Sequence, residues 1–181
     1  MSAFENKIQS IREAYKNGLY EPALALALTL PDICGAIKYR SDEVGYRYIK
    51  WSNDHIFLED PSNKGENFAG AALFQLRCSF LHNGDEQIYK DTFKDKNKYK
   101  NVYIKYFELM KPKSDEEGIG ELLSRAEVRR DSVTKEEFYT VKMNIRKIID
   151  EICNAAESFY EGWKNKSDFE DHVVVFQDYN T

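Results

Sequence analysis

The stretch EEFYTVKMNIRKIIDEICNAAESFYEGW, Glu136–Trp163, carries Phe138, Val141, Ile145, Ile148, Ile152, Ala155, Phe159 and Trp163 at successive spacings of three and four. That is the period of one helix face, so the spacing predicts a single amphipathic helix over about 135–164. Thr134 with Glu137 three residues on reads as a capping box at its start. A helix this long with one apolar stripe needs neighbours to cover it, and it is expected to be the spine of a helical bundle.

Working outward, Ser2 and Glu5 form a second capping-box pattern, followed by Phe4, Ile8, Ile11 and Tyr15 up to Gly18, which predicts a helix over about 3–17. YEPALALALTLPDICGAIKY should form a buried helix that kinks or restarts near Pro31 and ends near Tyr39. Asp32 is read as a cap for the restarting segment, with a reach to Arg77 as the alternative. Ser41 is a plausible cap for a helix over about 42–57 that carries Val44, Tyr48, Trp51 and His55 on one stripe. EDPSNKGEN is loop chemistry, and FAGAALFQLRCSFLHNG closes a further helix at Gly84. The fold class is therefore mainly α, a bundle of about five helices. A small β addition is expected near 99–109, where KYKNVYIKYFELM is aromatic and β-branched, and near 171–177, in HVVVFQDY.

With 181 residues the chain is one domain, 1–181, with a Lys/Tyr-rich insertion of strand and loop over 86–120 and a C-terminal tail over 165–181. A net charge of −5 argues against non-specific coating of nucleic acid but leaves room for a local basic site. Cys34, Cys78 and Cys153 lack metal or disulfide spacing and read as small core residues in a reducing compartment. The N-terminal stretch has no signal-peptide pattern, and the longest apolar run, Ala23–Leu30, is about half of a membrane span. A cytoplasmic protein with no membrane contact is expected. Neither a Gly-rich phosphate loop nor an H-E-x-x-H helix is present, so no cofactor and no metal are expected.

The candidate chemistry lies in LRCSFLHNG, Leu76–Gly84, where Arg77 and His82 flank a predicted helix end. On an ideal α-helix, five steps of about 100° leave the pair about 140° apart, so they do not share a narrow face but can still border one cleft, above all where the last turn unwinds. The plain alternative is that Arg77 pairs with an acid on another helix while His82 bonds a terminal carbonyl or packs in the core. His55 reads as a helix-surface or interface residue and His172 as a strand residue. Just downstream, eight lysines stand against three carboxylates between Tyr89 and Lys113, a local excess of five positive charges. Lys94, Lys96, Lys98 and Lys100, interleaved with tyrosine and phenylalanine, suit a phosphate backbone and unpaired bases, or else form a solvated strand face.

LRCSFLHNG after a helical pair, with LPDICG upstream and a long amphipathic helix downstream, resembles the HEPN (higher eukaryotes and prokaryotes nucleotide-binding) superfamily, whose signature is Arg, four to six residues, then His. The similarity covers roughly residues 3–84 and 133–164. It implies a homodimeric, metal-independent endoribonuclease with Arg77 and His82 as the catalytic pair. It also implies a 2′,3′-cyclic phosphate product and a defence, stress or toxin-antitoxin setting, with an antitoxin as a protein partner. Asn83, next to His82, reads either as a substitute polar group toward substrate or as a helix-ending residue. The position after the motif Arg, often Asn or Asp in the family, is Cys78 here. The other reading is a non-catalytic helical module that binds RNA or protein.

Overall fold

The computed structural model describes residues 1–58, 68–83, 104–111, 124–130, 132–133 and 137–174. Helix α1 (Ala3–Lys16) begins with the capping box as read: the Glu5 amide donates to Ser2 Oγ at 3.2 Å, and the Ser2 amide to Glu5 Oε2 at 2.6 Å. It ends just before Gly18, whose φ of 76° is a turn conformation that glycine adopts without steric cost. Helices α2 (Tyr20–Ala27) and α3 (Leu30–Lys38) are separated at Leu28–Thr29, and Pro31 lies in the first turn of α3, where its missing N–H costs nothing. The chain thus restarts at Pro31. Helix α4 (Val44–His55) has Glu43 rather than Ser41 at its N-cap, without a side-chain cap bond.

Helix α5 (Ala69–Cys78) continues into a π-helical turn, Ser79–Asn83. Strands β1 (Ile104–Met110), β2 (Ser124–Arg130) and β3 (Glu137–Asn144) form a sheet of order β1-β3-β2, with β1 parallel and β2 antiparallel to β3. Helix α6 (Ile145–Gly162) follows β3 without a linker, and a 3₁₀ helix spans Lys166–His172. Among the described residues the fold is mainly α with a small sheet.

The expected spine helix over 135–164 needs correction, because its first part is strand β3. Phe138, Thr140, Val141 and Met143 are buried there, and Val141 pairs with Phe107 on one side and Ala126 on the other. Glu137 lies in the strand, so no helix begins beside it; Asn144 caps α6 instead, accepting the Lys147 amide at 3.2 Å. The strand expected near 99–109 is β1, starting at Ile104, and it pairs with β3. The strand expected at 171–177 is not formed where it is described: Asp171 and His172 end the 3₁₀ helix, and Val173–Val174 follow without a ladder. Residues 175–177 lie outside the described residues. That short helix is anchored by Phe169, whose ring stands 4.6 Å from Phe4 and 4.9 Å from Tyr160, centroid to centroid. An aromatic anchor of this kind fixes the segment without strand pairing.

One core joins the helices to β1 and β3. Trp51 and Tyr48 of α4 are fully buried, and Ile148, Ile152, Cys153 and Ala156 of α6 face Phe4, Ile8 and Ile11 of α1 in the same cluster. Two glycines let α4 approach its neighbours closely. A Cβ on Gly70 of α5 would lie 2.1 Å from the Ile49 carbonyl oxygen, and one on Gly35 of α3 would lie 2.9 Å from that of Arg47. Helix α4 is therefore held tightly between α3 and α5.

Candidate active site

The close packing of α3, α4 and α5 sets the position of Arg77. Its Nε donates to Asp32 Oδ2 at 2.6 Å, across from the last turn of α5 to the first turn of α3. Its guanidinium carbon lies 5.9 Å from the centre of the Tyr48 ring, and the Tyr48 hydroxyl donates to the Leu28 carbonyl at 3.2 Å. Both side chains of the ion pair are about one-fifth exposed, 19% for Arg77 and 21% for Asp32. Burial opposes the charge on Arg77, but the Asp32 carboxylate outweighs it, and the guanidinium pKa lies above its ordinary value. Arg77 is thus a fixed cation at the end of a buried helix.

Asp32 does not cap α3. Thr29 occupies the N-cap position, and Asp32 spends its carboxylate on Arg77. The alternative reading of Asp32 is the one formed, and so is the pairing of Arg77 with an acid on another helix.

His82 and Asn83 belong to the π-helical turn Ser79–Asn83; the description covers their backbone only. Bonding from residue i to i+5 makes this turn wider than an α-helical one. Ser79 is buried in this turn while Leu81 reaches solvent. Lys94, Lys96, Lys98 and Lys100 lie outside the described residues.

At Cys78, between Arg77 and the turn, burial raises the thiol pKa, and the neighbouring Arg77 offsets this only in part. Burial likewise pushes Cys34 well up and Cys153 up to about 12.

A second polar cluster, which sequence spacing did not reveal, joins the C-terminal ends of α3 and α4. Asp54 Oδ2 accepts from the Tyr39 hydroxyl and from Lys38 Nζ at 3.1 Å; Lys38 Nζ also stands 3.2 Å from His55 Nε2. The His55 ring packs on Trp51 at 4.7 Å and Phe159 at 5.5 Å. His55 is thus half inside, between α4 and α6, rather than on an outer surface. Only the adjacency of Asp54 and His55 was visible in the sequence, and it names no partner. His172 closes the 3₁₀ helix and is not a strand residue.

Among the described residues no group of three or more His, Cys, Asp or Glu side chains is placed to hold a metal ion, and no helix is long and apolar enough to cross a membrane. The chain matches no family model, no curated protein and no solved structure.

Proposed function

We propose that this protein is a metal-independent endoribonuclease of the HEPN type, with Arg77 and His82 as its catalytic pair. One observation carries the reading: Arg77 is locked by Asp32 at the entrance of the π-helical turn that contains His82. Single π turns recur at functional sites because they re-aim a side chain that a regular helix would send elsewhere. An arginine oriented through one nitrogen by a carboxylate is pre-organised to meet an anion.

RNA brings its own nucleophile, the 2′-hydroxyl. His82 takes the 2′ proton, the 2′-oxygen attacks phosphorus, and Arg77 stabilises the charge that develops on the phosphorane oxygens. The 5′-oxygen leaves with a proton from a second histidine, which a two-fold homodimer supplies as the partner copy of the same residue. The products are a 2′,3′-cyclic phosphate and a 5′-hydroxyl end. A defence, stress or toxin-antitoxin setting with an antitoxin partner belongs to the same proposal, as does an RNA contact through Asn83 and Lys94, Lys96, Lys98 and Lys100.

The burial of the Arg77–Asp32 pair favours a second reading, in which the pair only ties α5 to α3 and the protein is a non-catalytic module for RNA or protein. Cleavage of a labelled mixed-sequence RNA in EDTA separates the two. The nuclease reading expects cyclic-phosphate ends, a rate lower by about 10²–10⁴ in His82→Ala, and one lower by about 10² in Arg77→Lys. Equal cleavage by wild type and His82→Ala would reject it. RNA binding that survives His82→Ala without any cleavage selects the module.

A further inference from the structure

A groove of about 520 Å³ runs between α1, α2 and the segment after the 3₁₀ helix, far in chemical character from the Arg77 site. Ala3, Asn6, Lys7 and Ser10 recur at helical spacing on one stripe of α1 and form its floor beside the buried Phe4–Ile8–Ile11 face. Leu26 of α2 and Val173 and Val174 form apolar walls, and both Leu26 and Val174 present their side chains to solvent. A volume of this size lies within the range of small-molecule pockets, about 300–1,000 Å³.

Lys7 is the one cation among the described residues of that lining, and it is half-buried. Burial is the sole influence displacing its ammonium, which it shifts downward; no carboxylate among the described residues offsets it. An ammonium that has lost water and gained no anion is a standing cost that a carboxylate from outside would remove. The apolar walls add a second requirement, since a hydrated anion such as phosphate would leave them uncovered, whereas a carboxylate on a hydrocarbon body satisfies both.

We propose that this groove binds a small amphipathic carboxylic acid, its carboxylate on Lys7 Nζ and its hydrocarbon chain against Leu26, Val173 and Val174. Asn6, on the same stripe, offers its amide to the second carboxylate oxygen. The proposal is independent of the nuclease reading.

Octanoate is a suitable probe and octan-1-ol its uncharged control, followed on the full-length protein by the methyl resonances of Leu26, Val173 and Val174 and the ε-carbon resonance of Lys7. Octanoate should give saturable shifts at these positions, at least tenfold tighter than octanol, and should raise the titration midpoint of Lys7. Lys7→Met should abolish the tenfold preference while retaining octanol binding, and Leu26→Ser should weaken both ligands. An exposed control, Lys16→Met, should change neither. The proposal is overturned if neither ligand shifts these resonances, if Lys7→Met keeps the full preference for octanoate, or if the saturable shifts map to another face.

Discussion

At Gly70 an added methyl group would stand 2.1 Å from the Ile49 carbonyl oxygen, whereas at Gly18 none of the described residues lies within 4 Å and only the φ of 76° is demanding. The two positions separate packing from conformation. Gly70→Ala must push α5 off α4 and is expected to cost about 2–3 kcal/mol, while Gly18→Ala costs about 1–2 kcal/mol. Urea melts of the two variants check the order, with an unchanged m value showing that the unfolded state is not responsible. Asp32→Asn keeps the size of the side chain but removes the charge facing Arg77, and should lower stability by about 1–3 kcal/mol together with any RNA cleavage. His82→Ala should affect cleavage without a comparable stability loss, and a large loss would assign His82 to the core. What could be read at this scale was local: Ser2 and Glu5 are three residues apart and formed their box. Asp32 was read as a cap because its partner is 45 residues away, a distance over which sequence spacing carries no geometric information.

The eight residues of β3 show why elements were only partly legible. Phe138 and Val141 sit three apart, which continues the stripe of α6 by count, yet FYTV is a run that favours strands through its aromatic and β-branched side chains. Tertiary pairing decided: β2, the preceding strand, and β1, some thirty residues upstream, flank the segment on both sides. Strand β2, SRAEVRR, gave no apolar alternation strong enough to be recognised. The helices were legible because their partners lie within the same 3.6-residue repeat. The α3–α4 junction also makes a pH prediction. Burial, and then the Lys38 ammonium, hold the His55 pKa below the ordinary 6.5, with Asp54 opposing. As pH falls through 6.5 the unfolded chain takes a proton that native His55 still refuses, so stability declines until the lower native value is reached. The slope contributed is at most about 1.4 kcal/mol per pH unit. His55→Phe preserves the packing on Trp51 and Phe159 and should flatten the fall in urea midpoint between pH 7 and 5.5; an unchanged slope would place the proton elsewhere.

On the scale of the whole molecule, a single buried cluster runs from Phe4 through Trp51 to Val141 and Ile152, so bundle and sheet share one core. Ile152→Ala, at a fully buried site of α6, should cost about 2–5 kcal/mol and shift the melting of helix and sheet signals together. Separate transitions in far-ultraviolet circular dichroism and tyrosine fluorescence would contradict the shared core. The mainly helical class with a small sheet was readable because composition and helical period are summed over the whole chain. The candidate site was readable as the residue pair Arg77 and His82, with the Asp32 clamp only as a second choice to a cap and the π turn not at all, because both exist only after α3 and α5 have packed. The direct passage from Asn144 of β3 into Ile145 of α6 has a mechanical meaning. With no slack residue between them, strand and helix act as one stiff rod embedded at one end in the sheet and at the other in the bundle. A force applied to either edge of the sheet travels along that rod to the helices beneath, so the two parts yield as a unit.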